Sequence, residues 1–285
     1  MSQVAQFGNQ LRKNAVAADS AVPAARVRVK TIALPVEHGG WGLSLEPVVL
    51  GLLVAPSWPG LFLSLATLGA FLARHPLKIV AGDRRRGRRF PRTPIAERFV
   101  ILYGGVAALG LVAASETAAG GGFLLPLVLA APLASIQLIY DAKGRSRELL
   151  PELAGSIALA SVAAAIALAG GWPRPLAFSL WLVLAARIVP TILFVRARLR
   201  LLRGHAASTA SVILAHSAAT AVVLVLARMR LVPVLAVAAS LVLLLRAAFG
   251  FTERRPVTAK RVGLRELGFG VTTVFAVAAG YLFGW

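Results

Sequence analysis

Nine apolar runs, most of them about 20 residues long, follow one another from residue 38 to residue 284, and they leave little choice of fold. A run of that length crosses a hydrocarbon core of about 30 Å as a helix. Inside lipid a helix satisfies all of its own backbone hydrogen bonds. The runs fall at roughly 38–56, 59–80, 95–116, 121–140, 149–170, 175–198, 207–228, 231–250 and 264–284, separated by Pro, Gly and charge. With 58% hydrophobic and 15% charged residues, the composition excludes an ordinary water-soluble globule. The reading is an all-α polytopic transmembrane bundle of about nine spans. Residues 1–35 form an N-terminal tail with no apolar core of the secretory-signal kind. Residues 36–285 form a single membrane domain.

The net charge of +20 would point to nucleic acid in a soluble protein. Here its placement assigns it to topology, and nucleic acid is not an expected partner. All but four of the 31 Lys and Arg lie in the tail or in alternate connections. By the positive-inside rule the N-terminus is then cytosolic and the C-terminus outside, in a bacterial cytoplasmic membrane. Trp58, Trp172 and Trp285 fall at the opposite interface, as an aromatic belt would. There is no cysteine, hence no disulfide and no thiolate chemistry.

One connection is more basic than orientation needs. Residues 74–98, RHPLKIVAGDRRRGRRFPRTPIAER, carry nine basic side chains and read as a cytosolic loop that closes over a phosphate or diphosphate. The candidate binding residues there are Arg74, His75, Lys78, Asp83, Arg84, Arg85, Arg86, Arg88 and Arg89. The plainer reading is a solvated basic loop lying on anionic lipid.

Ionisable groups at membrane depth are expensive and so tend to pair. Glu46 lies about ten residues into the first span, about 15 Å at 1.5 Å per residue. Arg187 in the sixth span and His216 in the seventh reach a similar depth. They are read as meeting in the bundle interior, either as a clamp between helices or as a polar chamber. Pro47 and Pro190 each remove a backbone donor nearby. At the entrance of the first span, EHGGWG offers Glu37 and His38, either an interfacial helix start or, if the chain is unwound there, a proton-transfer or metal-ligand pair. With Glu46 these are the candidate catalytic groups. Near the fifth span, YDAKGRSRELLPEL supplies Asp141, Glu148 and Glu152. With Asp83 they would suffice for one divalent cation such as magnesium if their loops converge, and would otherwise pair with Arg145 and Arg147.

LPVEHGGWG, FLARHPLK, YDAKGRSRELLPELAG and RIVPTILFVRARLRL resemble the YwiC-like family of multipass bacterial membrane proteins, which implies class and location. The chain is also similar in arrangement to UbiA-type intramembrane prenyltransferases, which have nine helices and active-site loops after the second and sixth. Where those enzymes carry several Asp and Asn for magnesium diphosphate, this sequence has Asp83 alone and then RARLRLLRGH. The resulting expectation is a protein that binds, with or without transforming it, an anionic amphiphile such as a lipid phosphate or prenyl diphosphate at a cytosol-facing cavity. The alternative is a secondary transporter with a midplane Glu46, Arg187 and His216 site. A structural or regulatory subunit with a filled interior is the third possibility.

Overall fold

A computed structural model describes residues 29–35, 38–251 and 258–284. Glu37 and Trp285 lie outside the described residues, and of His38 only the backbone is described. After a five-residue helix at Val29–Ala33 come nine longer helices, and no strand occurs among the described residues. They are α1 (His38–Val54), α2 (Trp58–Arg85), α3 (Thr93–Thr117), α4 (Leu124–Ala142), α5 (Leu149–Ala169), α6 (Arg174–Leu202), α7 (Thr209–Arg228), α8 (Val234–Phe249) and α9 (Ala259–Phe283). Seven are long and apolar enough to cross a membrane, while Trp41–Val54 in α1 and Val234–Phe249 are shorter apolar helices. The chain is a multi-pass helical membrane protein.

Several helix starts are written in local chemistry. Ser57 caps α2 by accepting from the Gly60 amide at 3.2 Å, with Pro59 in the first turn. Ser208 and Thr258 cap α7 and α9 in the same way. After α6, Gly204 at φ +76 makes the left-handed turn that an L side chain resists.

The basic segment 74–98 is not a loop. α2 continues to Arg85, a short turn follows, and α3 begins at Thr93. Pro76 does not interrupt α2, nor do Pro47 and Pro190 break α1 and α6. A helix tolerates the missing bond where surrounding packing holds it, and Pro47 and Pro190 are both buried.

α5 and α6 run through the middle. α5 packs on α1, α2, α4 and α6, and α6 packs on α5 and α7. Their shared core holds Leu50, Ala163, Ala167, Leu184 and Ile188. α2 and α3 form one arm. They cross so closely that a Cβ on Gly69 would come within 2.8 Å of the Ala107 nitrogen, and one on Gly110 equally near the Phe62 carbonyl. α7, α8 and α9 form the other arm, and α9 returns to pack against α1. α1 therefore joins a half made of α2–α5 to a half made of α6–α9. The ends of α2, α4 and α6 gather at one arginine-rich end of the bundle, where Arg85 reaches the Ala142 carbonyl and Arg196 the Arg147 carbonyl.

Candidate functional site

In the α6–α9 half, buried charges meet across four helices. Glu46 of α1 faces Arg187 of α6, with Oε2 2.5 Å from Nη1 and both side chains at most 5% exposed. Arg187 Nη2 also donates to the Glu266 backbone carbonyl of α9 at 3.1 Å. Glu266 is paired in turn with Arg246 of α8. Arg246 Nη2 reaches His216 Nε2 of α7 at 3.0 Å, and His216 Nδ1 lies 2.9 Å from the Val212 carbonyl. A carbonyl only accepts and a guanidinium only donates, so His216 must carry its proton on Nδ1 and accept on Nε2. Glycines make this meeting possible. A Cβ on Gly270 would overlap both the Glu46 carboxylate and the Arg187 guanidinium, and one on Gly42 would sit 3.1 Å from Leu267.

The charges balance better than the hydrogen bonds do. Arg187 Nε, Thr191 Oγ1 and Arg246 Nε are buried without a hydrogen-bond partner. Beside them lies a cavity of about 20 Å³ lined by Arg187, His216, Thr220, Ser240 and Thr273 among others. That space and that lining suit one water molecule.

Sequence reasoning brought Glu46, Arg187 and His216 to one depth but missed Arg246 and Glu266. Arg246 stands three residues before the end of α8 and Glu266 seven into α9, where a residue reads as part of the basic connection. The signal was the apolar run LVLLLRAAF around Arg246, which has no place in a solvated loop.

At the arginine-rich end the carboxylates do not converge. Asp83, with a side chain 1% exposed, accepts from Arg92 Nη2 at 2.6 Å and from the Thr93 hydroxyl at 2.8 Å. That hydrogen bond raises the Arg92 pKa. Asp141 is held by Arg74 at 2.5 Å and by the Gln137 amide at 3.2 Å, with Lys78 Nζ 3.9 Å away. Glu148 pairs with Arg145, and Glu152 with Arg196 at 2.7 Å. Among the described residues no group of three or more His, Asp or Glu is placed to hold a metal ion. The divalent site that needed Asp83, Asp141, Glu148 and Glu152 together is therefore not built from these four.

The arginines of the turn are equally dispersed. Arg84 and Arg89 both reach Glu97, at 3.4 and 2.7 Å, and Arg85 donates to the Ala142 carbonyl. Arg88 lies over the Phe90 ring, and the charge of Arg86 acts on Asp83. His75 donates from Nε2 to the Thr31 carbonyl at 3.0 Å. Arg84, Arg88 and Arg89 line a surface recess of about 470 Å³ with Thr93 and Glu97.

In the α2–α5 half lies a larger cavity of about 520 Å³, between the α2–α3 pair and the α4–α5 pair, with Leu43 of α1 also on its wall. Its lining is predominantly apolar, including Leu63, Phe71, Leu111, Leu127, Leu159 and Val162. The Thr67 and Ser161 hydroxyls on its wall donate to carbonyls of their own helices, at 2.8 and 2.7 Å. Polarity is concentrated at the end nearer the arginines, where Arg74 and Gln137 line it and Asp141 and Lys78 stand behind. Gln137 fits there only because residue 155 is glycine, since a Cβ would overlap its amide. The arrangement offers a greasy slot closed at one end by an ionic cluster.

No curated protein and no solved structure matches the chain. A family model does match, over residues 34–167, just under half of the chain. That segment reaches from the approach to α1 to the last turn of α5 and contains every residue lining the larger cavity. Over residues 34–167, this multi-pass membrane protein is similar to the YwiC-like family.

Proposed function

We propose that the chain binds a single-chain anionic amphiphile, such as a lipid phosphate or prenyl diphosphate, with its tail in the cavity between α2 and α5. Its head would lie beside Arg74 and Lys78. The observation that carries this reading is the shape of the polarity: about 520 Å³ of mostly apolar space with one basic side chain, Arg74, on its wall, paired with Asp141. Ligand cavities span about 300–1,000 Å³ and are mostly apolar with a few placed polar groups. A mostly apolar space of that size suits a lipid tail.

Orientation belongs to the same reading. The arginine-rich end faces the cytosol of a bacterial cytoplasmic membrane, so the head enters from the inner leaflet. Arg84, Arg88 and Arg89 form a basic collar there. With Arg84 and Arg89 held by Glu97 and Arg88 over the Phe90 ring, they supply field and not a fixed phosphate cradle.

Native mass spectrometry of the purified protein tests it. The wild type should retain a single-chain anionic lipid, and Ala134→Phe or Ala158→Phe, which place a ring in the cavity, should lose it. Arg74→Gln should weaken retention by about tenfold, the scale of one charge-assisted hydrogen bond. Equal retention in all four proteins contradicts the reading.

The transporter reading draws on a different observation, the 20 Å³ cavity lined by His216 and by Arg187, the partner of Glu46. Space for one water limits that site to protons. Proteoliposomes carrying a pH-sensitive dye would show proton flux that Glu46→Gln abolishes; no flux from wild type removes this reading.

A further inference from the structure

Two side chains on the wall of the α2–α5 cavity carry polar atoms that the protein itself leaves unused. Gln137 of α4 and Ser156 of α5 are 8% and 6% exposed, and both line that space. The other hydroxyls there are engaged, since Thr67 and Ser161 donate to carbonyls of their own helices. Ser156 bonds neither to its own helix nor to any other described residue, and its oxygen keeps accessible surface.

Gln137 is only half engaged. Its Nε2 donates to Asp141 Oδ1 at 3.2 Å. A carboxylate paired with Arg74 only accepts, so the amide nitrogen must face Asp141 and the amide oxygen must point elsewhere. Oε1 accepts from no described residue and is not sealed off from the cavity. It lies over Gly155, where a Cβ would come within 1.9 Å of it. Gly155 also lines the cavity and directly precedes Ser156, so the two unused oxygens belong to one patch of wall. Polar atoms that face apolar space without a partner are costly, and a ligand group that meets both is favoured there. The patch adjoins the ionic cluster, because Arg74 Nη2 and Gln137 Nε2 donate to the same Asp141 oxygen, at 3.1 and 3.2 Å. Arg74 uses Nε and Nη2 in that contact and keeps Nη1 for something else.

Resting on the amphiphile reading above, we propose that Gln137 and Ser156 form a subsite for a hydroxyl group of the ligand, next to its anionic head. A hydroxyl is donor and acceptor at once. It donates to Gln137 Oε1 and accepts from the Ser156 hydroxyl, while the head meets Arg74. The ligand class is thereby narrowed to a lipid anion with an alcohol at the start of its tail, as in a monoacylated glycerol phosphate. A plain alkyl or prenyl phosphate lacks that group and leaves both oxygens without a partner.

The test titrates the full chain in detergent, by calorimetry, with two probes that share an oleoyl chain and a phosphate monoester. One is monooleoylglycerol phosphate, with a free hydroxyl beside its head; in the other, hydrogen replaces that hydroxyl. Wild type should bind the hydroxylated probe about tenfold more tightly, the scale of one or two hydrogen bonds. Gln137→Leu and Ser156→Ala should each bring the ratio of affinities towards one, by weakening the hydroxylated probe more than the other. Ser156→Ala removes only an oxygen from a helix, so the comparison survives if Gln137→Leu does not fold. Equal affinity of wild type for both probes overturns the subsite, with water as its occupant, and leaves the amphiphile reading standing. Binding of neither overturns both. A preference that persists in both variants overturns the assignment to these two residues.

Discussion

The buried pair of Glu46 and Arg187 shows what a single residue can decide in this protein. Each partner lies among apolar side chains, so removing either charge strands the other. Breaking a buried pair in this way typically costs about 3–5 kcal/mol. Glu46→Gln and Arg187→Gln should each lower the unfolding midpoint in detergent accordingly, and the double variant should lose less than the sum because the groups touch. Strict additivity would contradict the contact. Gly270→Ala is the sharper probe, since one methyl group must displace both ionic side chains. It should destabilise the protein by about 1–3 kcal/mol, the usual range for overpacking. Unchanged stability in the same assay would mean that α9 does not pass the pair so closely.

At the scale of elements, the apolar periods placed all nine helices, because a span's length is set by the thickness of lipid and shows directly in composition. What they could not place was the point where a helix leaves the lipid but goes on being a helix. α2 runs to Arg85 because its last turns trade apolar contact for Arg74–Asp141, Lys78–Ser146 and Asp83–Arg92 pairs, and no hydropathy window registers such pairs. Arg246 and Glu266 were missed for the same reason, standing near helix ends where a charge reads as loop. Close helix approach was legible as glycine but not as partner: Gly69 and Gly110 say that something comes near, and only the fold shows each against the backbone of the other helix of the α2–α3 pair. Gly110→Val should therefore force α2 and α3 apart, by about 1–3 kcal/mol in an unfolding titration. If it unfolds like wild type, the crossing is looser than drawn.

For the whole molecule, the described helices pack as two halves. α2–α5 enclose apolar space, α6–α9 enclose charge, and α1 touches both through Leu43 and Glu46. The candidate amphiphile site was only half legible. Its basic end stood out in sequence as RHPLK and RRRGRR, whereas the cavity depends on small residues such as Ala66, Ala134, Gly155 and Ala158 leaving room, and nothing in a sequence announces a space. Orientation is open to a clean experiment, since the natural chain has no cysteine to mask. Arg88→Cys and Arg174→Cys, at opposite ends of the bundle, should react with an impermeant maleimide from opposite sides, Arg174→Cys from outside the cell. Labelling of both from one side would overturn the topology.

The most direct measurement of the central claim is an electron cryomicroscopy map of the full chain in nanodiscs made with native lipid. An elongated density between α2, α4 and α5, ending beside Arg74 and Lys78, is the predicted result. A cavity closed by inward collapse of Leu63, Leu127 and Leu159, with no density between the helices, would contradict it.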